Sequence, residues 1–588
     1  GTRQVNNAAL EFYVTTRQKQ TVKIPLPENW IDNWHHVTAH YDGSSIFISI
    51  DDAESEHIPL TGNIRNTPFP VNIGRNAEIH GQETSVYICD AIIDQAGIFS
   101  KYFSSEILKD PTPGIRQQAD LWLDFEEESI DGEFFSYGIG ARTYGSIWPD
   151  RRPQPEMWQM KKSAQPVSVK LVSADKGLVE ITNRYLFTNL NELEARWSLQ
   201  RNGGILQQAT IDLDIEPGKK AIVDIPFARP EPEEGAEYFL NVSFHQRNKE
   251  LWADAGFEIA WDQMALPCPA PATVEERAER NPVSSKEAGN DLIVSGKDFE
   301  YVFDRSTGSM TSMKIRGREI IRKGPGLNVW RAPLANETDS WTFWSSNNKH
   351  RTDGYGRMAA TEWYSAGIDN MSFLKISFSH EQTGDSAIIV KSRNIYTTAN
   401  GRGSFIDLTE YTIDGTGTLS IKNSVVPNGQ MPSWLPRIGQ QWIFDKSLDR
   451  VRWFGRGPQE NYPDRKSGYR VGIYESTVED MYEPYLIPQD YGLRTDNRMV
   501  RVTDAAGSGL EFTGDKLFNF SIHPYSADNL TRALYTYQLH QSDGMTFNFD
   551  YATSGLGCTA AGVFPEYQVM PGRYDFIVTI KPVFATGN

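Results

Sequence analysis

Short apolar–polar alternation runs through this 588-residue chain almost from end to end. Runs such as Leu10–Val14 (LEFYV), Ser45–Asp52 (SIFISIDD) and Val167–Ser173 (VSVKLVS) put apolar side chains at every second position. That period suits strands with one buried face, and the turn residues between them, Asp42-Gly43 for example, suit antiparallel hairpins. Nowhere does strand alternate with helix in the βαβα order that a parallel barrel needs. Helical spacing is scarce: FSSEILKD reads as one helical turn capped by Ser104 or Ser105, and ATVEERAERN near Glu275 reads as linker. The fold class expected is therefore all-β.

Composition narrows the function. The formal charge of −18 argues against a nucleic-acid surface, which needs a basic patch. No apolar run of about 18 residues occurs, so no membrane helix is expected. Cys89, Cys268 and Cys558 lie too far apart for a disulfide framework or a zinc spacing, which leaves the compartment open. The chain begins at Gly1 without a Met, so it reads as an excised piece. No G-x-S-x-G, Walker A, H-E-x-x-H or dinucleotide fingerprint is present, so no self-sufficient catalytic core is expected.

Boundaries follow composition. Residues 1–114 form one β unit ending at the Asp110–Gly114 run DPTPG; 115–165 are irregular and rich in Gly, Arg and Trp. Residues 166–262 hold seven strand-like runs, the size of an immunoglobulin-like sandwich. Residues 263–290 read as linker, and 291–588 as one large double sheet.

Two loops carry the candidate binding residues. In WFGRGPQENYPDRKSG, Trp453–Gly468, the glycines Gly455 and Gly457 permit unusual φ, and Pro458 and Pro463 restrict the ends. Glu460, Asn461 and Asp464 can accept hydrogen bonds, and Arg465 can clamp a carboxylate. The same residues equally suit a structural loop that ties two domains through buried ion pairs. The second loop is SGLGCTAAG, Ser554–Gly562, in which Cys558 also reads as a small buried thiol. In the first unit, His35 and His36 read as strand neighbours facing opposite ways, unable to share one metal, with Trp34 and Val37 as core. Asp51, Asp52 and Asp90 match no calcium-loop spacing. Trp148 and Trp158 read as pins holding the irregular segment to the sandwich.

The Trp453–Gly468 loop, with MYEPYLIPQDYGLRTDNR (481–498), NVWRAPLANETD (328–339), LPRIG (435–439) and PEYQVMPGRYDF (565–576), resembles the C-terminal domain of the large β-galactosidases of glycoside hydrolase family 2. Residues 166–262 resemble the sandwich preceding it there, and Tyr144–Val167 the tail of the catalytic barrel. The first 110 residues are similar to a laminin-G or concanavalin-like jelly roll, truncated at its start and so leaving an unpaired edge. The resemblance implies a galactose-mutarotase-like supersandwich at 291–588 and a retaining β-D-galactosidase as the parent protein. Both catalytic glutamates would lie upstream of Gly1, with none in this chain. It implies that Gly457, Glu460, Asn461, Asp464 and Arg465 border the active-site mouth. It also implies that Cys558 and Thr559 stand where some relatives place a Trp under the substrate, which suggests a roomier subsite. Mg²⁺ and Na⁺ would belong to the upstream barrel. Ala141 and Tyr144 depart from the family's Na⁺-contact pattern, so no cofactor or metal is expected in this chain. The expected partners are a galactoside sugar, the upstream barrel and further copies of the chain, with no nucleic acid and no membrane. A non-catalytic carbohydrate-binding module is the alternative.

Overall fold

Leu193, Ala195, Trp197 and Leu199 occupy every second position of strand Leu193–Arg201, and all four are buried. That alternation builds the sandwich of the computed structural model, which describes residues 2–5, 8–16, 18–64, 93–124, 146–148, 150–268, 281–338, 359–533, 536–557 and 562–585. Strands Val167–Ser173, Leu178–Asn183 and Lys220–Asp224 form its three-stranded sheet. Gly204–Ile211, Leu193–Arg201, Tyr238–Gln246 and Glu258–Leu266 form its four-stranded sheet, in that order. Val179, Ile181, Leu240, Val242 and Phe244 fill the space between them. All seven strands fall where the alternation puts them.

The large segment is a five-stranded sheet, Ser284–Glu319, and a twelve-stranded sheet that begins at Ile321–Asn328 and ends at Tyr574–Val583. A large apolar core lies within this segment, with Trp363, Trp442 and Trp453 fully buried in it. Strand Ser284–Ala288 lies inside the stretch read as linker and pairs with Asp291–Ser295, so 263–290 is not linker throughout. Glu258–Leu266 likewise carries the sandwich past residue 262. The ATVEERAERN run falls outside the described residues except for its last.

The segment 115–165 holds an element the sequence reading lacks, the ten-residue helix Pro155–Ala164. Pro155 stands at its start, where a missing N–H costs nothing, with Glu156 in the first turn and Lys161 and Lys162 in the last, as the helix dipole favours.

The chain divides into two compact units, one holding the described residues up to Asp124 and the other those from Ser146 onward. In the first, strands Thr2–Val5, Ala9–Thr15 and Lys19–Pro25 form one sheet, and Val37–Tyr41 and Ser45–Ile50 lead a second. Thr2–Val5 pairs with the front of Ala9–Thr15, which the truncation reading leaves as an unpaired edge. Leu121–Leu123 pairs with Ala96–Ile98, so this unit runs beyond Gly114.

Trp34 and Val37 are corrected: they are 67% and 38% exposed. The strand's register turns Thr38 and His40 inward instead; Thr38 bonds Ser49 and Ser105, and His40 stacks on Phe47 at 4.5 Å. His35 and His36 precede the strand. His35 Nδ1 and the His36 N–H both meet Asp51, and Asp52 pairs with Lys109. Asp90 and Cys89 lie outside the described residues. Ser104 precedes helix Ser105–Lys109 but makes no side-chain cap bond. Among the described residues no helix is long and apolar enough to cross a membrane.

Candidate functional site

The Trp453–Gly468 stretch begins as strand, since Arg450–Gly457 is a strand whose last five residues are Trp453–Gly457. Gly455 and Gly457 serve close approach and not unusual φ, because neither lies at positive φ. A Cβ at Gly455 would sit 2.1 Å from Asn497 Oδ1, and one at Gly457 would sit 2.8 Å from the Tyr474 ring. The chain then turns through the cis Gly457–Pro458 peptide into a loop whose polar side chains point inward.

Glu460 is 1% exposed, and its carboxylate is fully engaged. Arg465 Nη2 and the Tyr485 hydroxyl donate to Oε1 at 2.8 and 2.5 Å, and the Gly492 N–H donates to Oε2 at 2.8 Å. Arg465 also pairs with Glu156 on the helix Pro155–Ala164. The clamp foreseen for Arg465 therefore closes on two carboxylates of the chain itself. Burial opposes the Arg465 charge, but Tyr485, Glu460 and Glu156 around it hold its pKa well above the usual value.

Asn461 is fully buried; its Oδ1 accepts from the Thr495 N–H and hydroxyl, and its N–H donates to Leu493 O at 2.9 Å. Asp464 reaches the second candidate loop: its carboxylate accepts the N–H groups of Leu556 at 2.9 Å and Gly557 at 2.7 Å. The structure thus joins the two loops that the sequence reading singled out separately. Cys558 and Thr559 lie outside the described residues, as do Ala141 and Tyr144.

The helix Pro155–Ala164 is held from two sides. On the large-sheet side, Gln159 bonds Ser467 Oγ at 2.8 Å and the Gly468 N–H at 2.9 Å, and Tyr469 donates to Pro155 O at 2.5 Å. Trp148, 5% exposed, meets Tyr485 edge to face at 5.6 Å between centroids, so it pins the segment to the large sheet and not to the sandwich. On the sandwich side, Lys162 pairs with Asp262 at 2.7 Å. The sandwich meets the same large-sheet strands directly. Gln263 and Val471 exchange two bonds of 2.8 Å, and Arg470 and Arg498 pair with Glu258 and Glu237 at 2.6 Å.

Beneath the loops lies a second set of buried ions that the sequence reading does not single out. Arg331 pairs with Glu337 at 2.5 Å and donates to Ser554 O and Gly555 O at 3.1 Å. Arg437 pairs with Asp490 at 2.8 Å and Asp550 at 3.4 Å, and the Tyr462 hydroxyl donates to Asp490 at 3.3 Å. A signal exists: Arg331 in VWRAPL and Arg437 in WLPRIG are lone charges inside apolar runs. Burial pushes Asp550 up to about 6 and His523 down to about 4. Glu483, near the Arg465–Glu460–Glu156 cluster, is pushed up to about 8 by burial and then by the charge of Glu460.

Comparisons with known proteins match this chain in two places. A family described as "Beta galactosidase small chain" covers residues 295–580, and one described as "Beta-galactosidase, domain 4" covers 179–267. A β-galactosidase of Priestia megaterium is 28% identical over 468 residues, 78% of this chain and 42% of the relative. One of Photobacterium profundum is 29% identical over 483 residues, 78% of this chain and 45% of the relative. The chain therefore spans less than half the length of these relatives. Among solved structures, a galactose mutarotase related enzyme from Lactobacillus acidophilus covers 51% of this chain and 99% of its own, at 10% identity and a TM-score of 0.27. A GalM/aldose epimerase homologue from C. elegans covers 52% and 100%, at 9% identity and a TM-score of 0.29.

Proposed function

We propose, from the premise that this chain is the C-terminal portion of a β-galactosidase, that it braces the catalytic domain of a longer glycoside hydrolase and shapes the outer rim of its sugar site. The parent reaction is hydrolysis of terminal β-D-galactosides with retention, through two glutamates that lie upstream of Gly1. Retaining chemistry needs two carboxyl groups about 5.5 Å apart and open to substrate. The carboxylates of Glu460, Glu337 and Asp490 are instead bound to arginines inside the protein.

One observation carries the bracing role: Arg465 is shared between Glu460 in the rim loop and Glu156 on the helix Pro155–Ala164. That pairing fixes the loop to the segment that leads into the sandwich. Gly457, Glu460, Asn461, Asp464 and Arg465 act on the sugar through the position of the loop, since the carboxylates of Glu460 and Asp464, the Asn461 amide and the Arg465 Nη groups are taken up by protein partners and Gly457 serves close approach. Loop geometry then reaches substrate because small displacements of positioning groups cost large factors in rate.

The test is made in the full-length parent enzyme. Arg465→Met should lower kcat/KM on a chromogenic β-galactoside by about tenfold or more. Arg573→Met, which removes an exposed Arg–Asp pair, should leave it unchanged. Equal, small effects of the two substitutions would refute the bracing role.

A further inference from the structure

A crevice opens on the inner face of the twelve-stranded sheet. One wall is Gly308, Pro325 and Gly326, whose small side chains leave space in front of strands Ala387–Thr397 and Gly403–Asp414. The opposite wall is polar. Asn394 stands directly across from Asp407 in the ladder, with Tyr396 and Thr409 each two positions along. The free space is about 20 Å³, room for one or two water-sized species.

Asp407 is 4% exposed. Its Oδ2 accepts from Thr409 Oγ1 at 3.2 Å, and its Oδ1 has no hydrogen-bond partner. No Lys, Arg or His lines the crevice among the described residues. A buried carboxyl either holds a proton or, when charged, is paired with a base or a metal ion, because a bare charge in a low dielectric is costly; burial pushes Asp407 up to about 7, so the charged form that needs a partner prevails at pH 8. The other polar side chains facing the space are neutral: the amides of Asn394, Asn423 and Gln440 and the hydroxyls of Ser309, Tyr396, Thr409 and Tyr411. Calcium sites gather several carboxylates, and magnesium also needs substrate phosphates or more acids, whereas one acid among neutral oxygens balances a single positive charge.

We propose that this crevice binds one monovalent cation of sodium or potassium size, with Asp407 Oδ1 as its anionic ligand. The Gly–Pro–Gly wall keeps the space open. A Cβ on Gly326 would meet only Tyr396 Oη within 4 Å, at 3.8 Å, so a larger residue there enters the crevice without striking backbone.

The test is thermal unfolding of the 588-residue chain at pH 8 in sodium, potassium or choline chloride at equal ionic strength. The wild type should melt roughly 2–4 °C higher in sodium or potassium than in choline. Asp407→Asn should melt at one temperature in all three salts, and so should Gly326→Val, which fills the space and keeps the acid. If Asp407→Asn fails to fold, Gly326→Val decides. Crystals soaked in thallium should show a peak at Asp407 Oδ1. Identical wild-type melting in the three salts, a salt shift that survives in Gly326→Val, or a water alone in the crevice would overturn the proposal.

Discussion

Arg465 and Glu460 were legible as polar loop residues, but their third partner was not. Glu156 is 309 positions away, and no local period records a pairing at that distance. The energetics follow from burial. Arg465→Met leaves Glu460 buried with two hydrogen bonds and no directly bonded cation, so it should cost about 3–5 kcal/mol in denaturant unfolding. Glu156 is 39% exposed at its side chain, so Glu156→Gln should cost only about 1 kcal/mol. The double variant Glu460→Gln/Arg465→Met should lose less than the sum of its two single changes, as coupled groups do. His523 gives a pH signature. Burial leaves it neutral in the fold, and the hydrogen bond from its Nδ1–H to Tyr525 O, 2.8 Å, opposes that only in part. Its folded pKa of about 4 lies below the ordinary 6.5, so the unfolded chain takes the proton first as pH falls. Stability contributed by neutral His523 is complete above pH 6.5 and is lost towards pH 4, on the order of 3 kcal/mol. Asp550, raised to about 6, acts in the opposite sense over part of that range. The check is therefore the difference between wild-type and His523→Gln profiles, in which the variant should fall less steeply.

Among elements, Leu178–Asn183 and Leu193–Arg201 were legible because each buries every second side chain, which period-two alternation reports directly, whereas Gly204–Ile211 buries none and Tyr238–Gln246 is buried on both faces. The helix Pro155–Ala164 was missed because its faces are set by docking and not by an apolar stripe; Met160 is 56% exposed while Pro155 is buried. Trp34 and Val37 misled for a related reason: apolar identity was weighed above position, and Trp34 lies before the strand while its register turns Thr38 and His40, not Val37, inward. Docking of the helix depends on Gly468, where a Cβ would lie 2.8 Å from Gln159 Cα, a backbone atom that cannot give way. Gly468→Val should push helix and loop apart. Amide exchange across residues 155–164 should accelerate at least tenfold, with little change in the sandwich strands. Unchanged protection there would mean that the helix is held from the sandwich side alone.

At the scale of the molecule, an all-β chain was legible, and the order of its strands was not. Strand Gly509–His523 pairs with three others, and Arg450–Gly457 lies beside Arg494–Thr503. Such distant pairings are chosen by packing, and alternation cannot say which strand lies next to which. A rim role for the polar loops is suggested by resemblance alone; the ion pairs that set their shape needed coordinates. The proposal under test is that this chain shapes and braces a galactoside site of a longer enzyme and does not itself cut the sugar. It is tested most directly by incubating the purified 588-residue chain with a chromogenic β-galactoside and following release of the chromophore. The account predicts release no faster than in buffer alone. Sustained release that scales with the amount of chain and is stopped by a galactose-based inhibitor would contradict it.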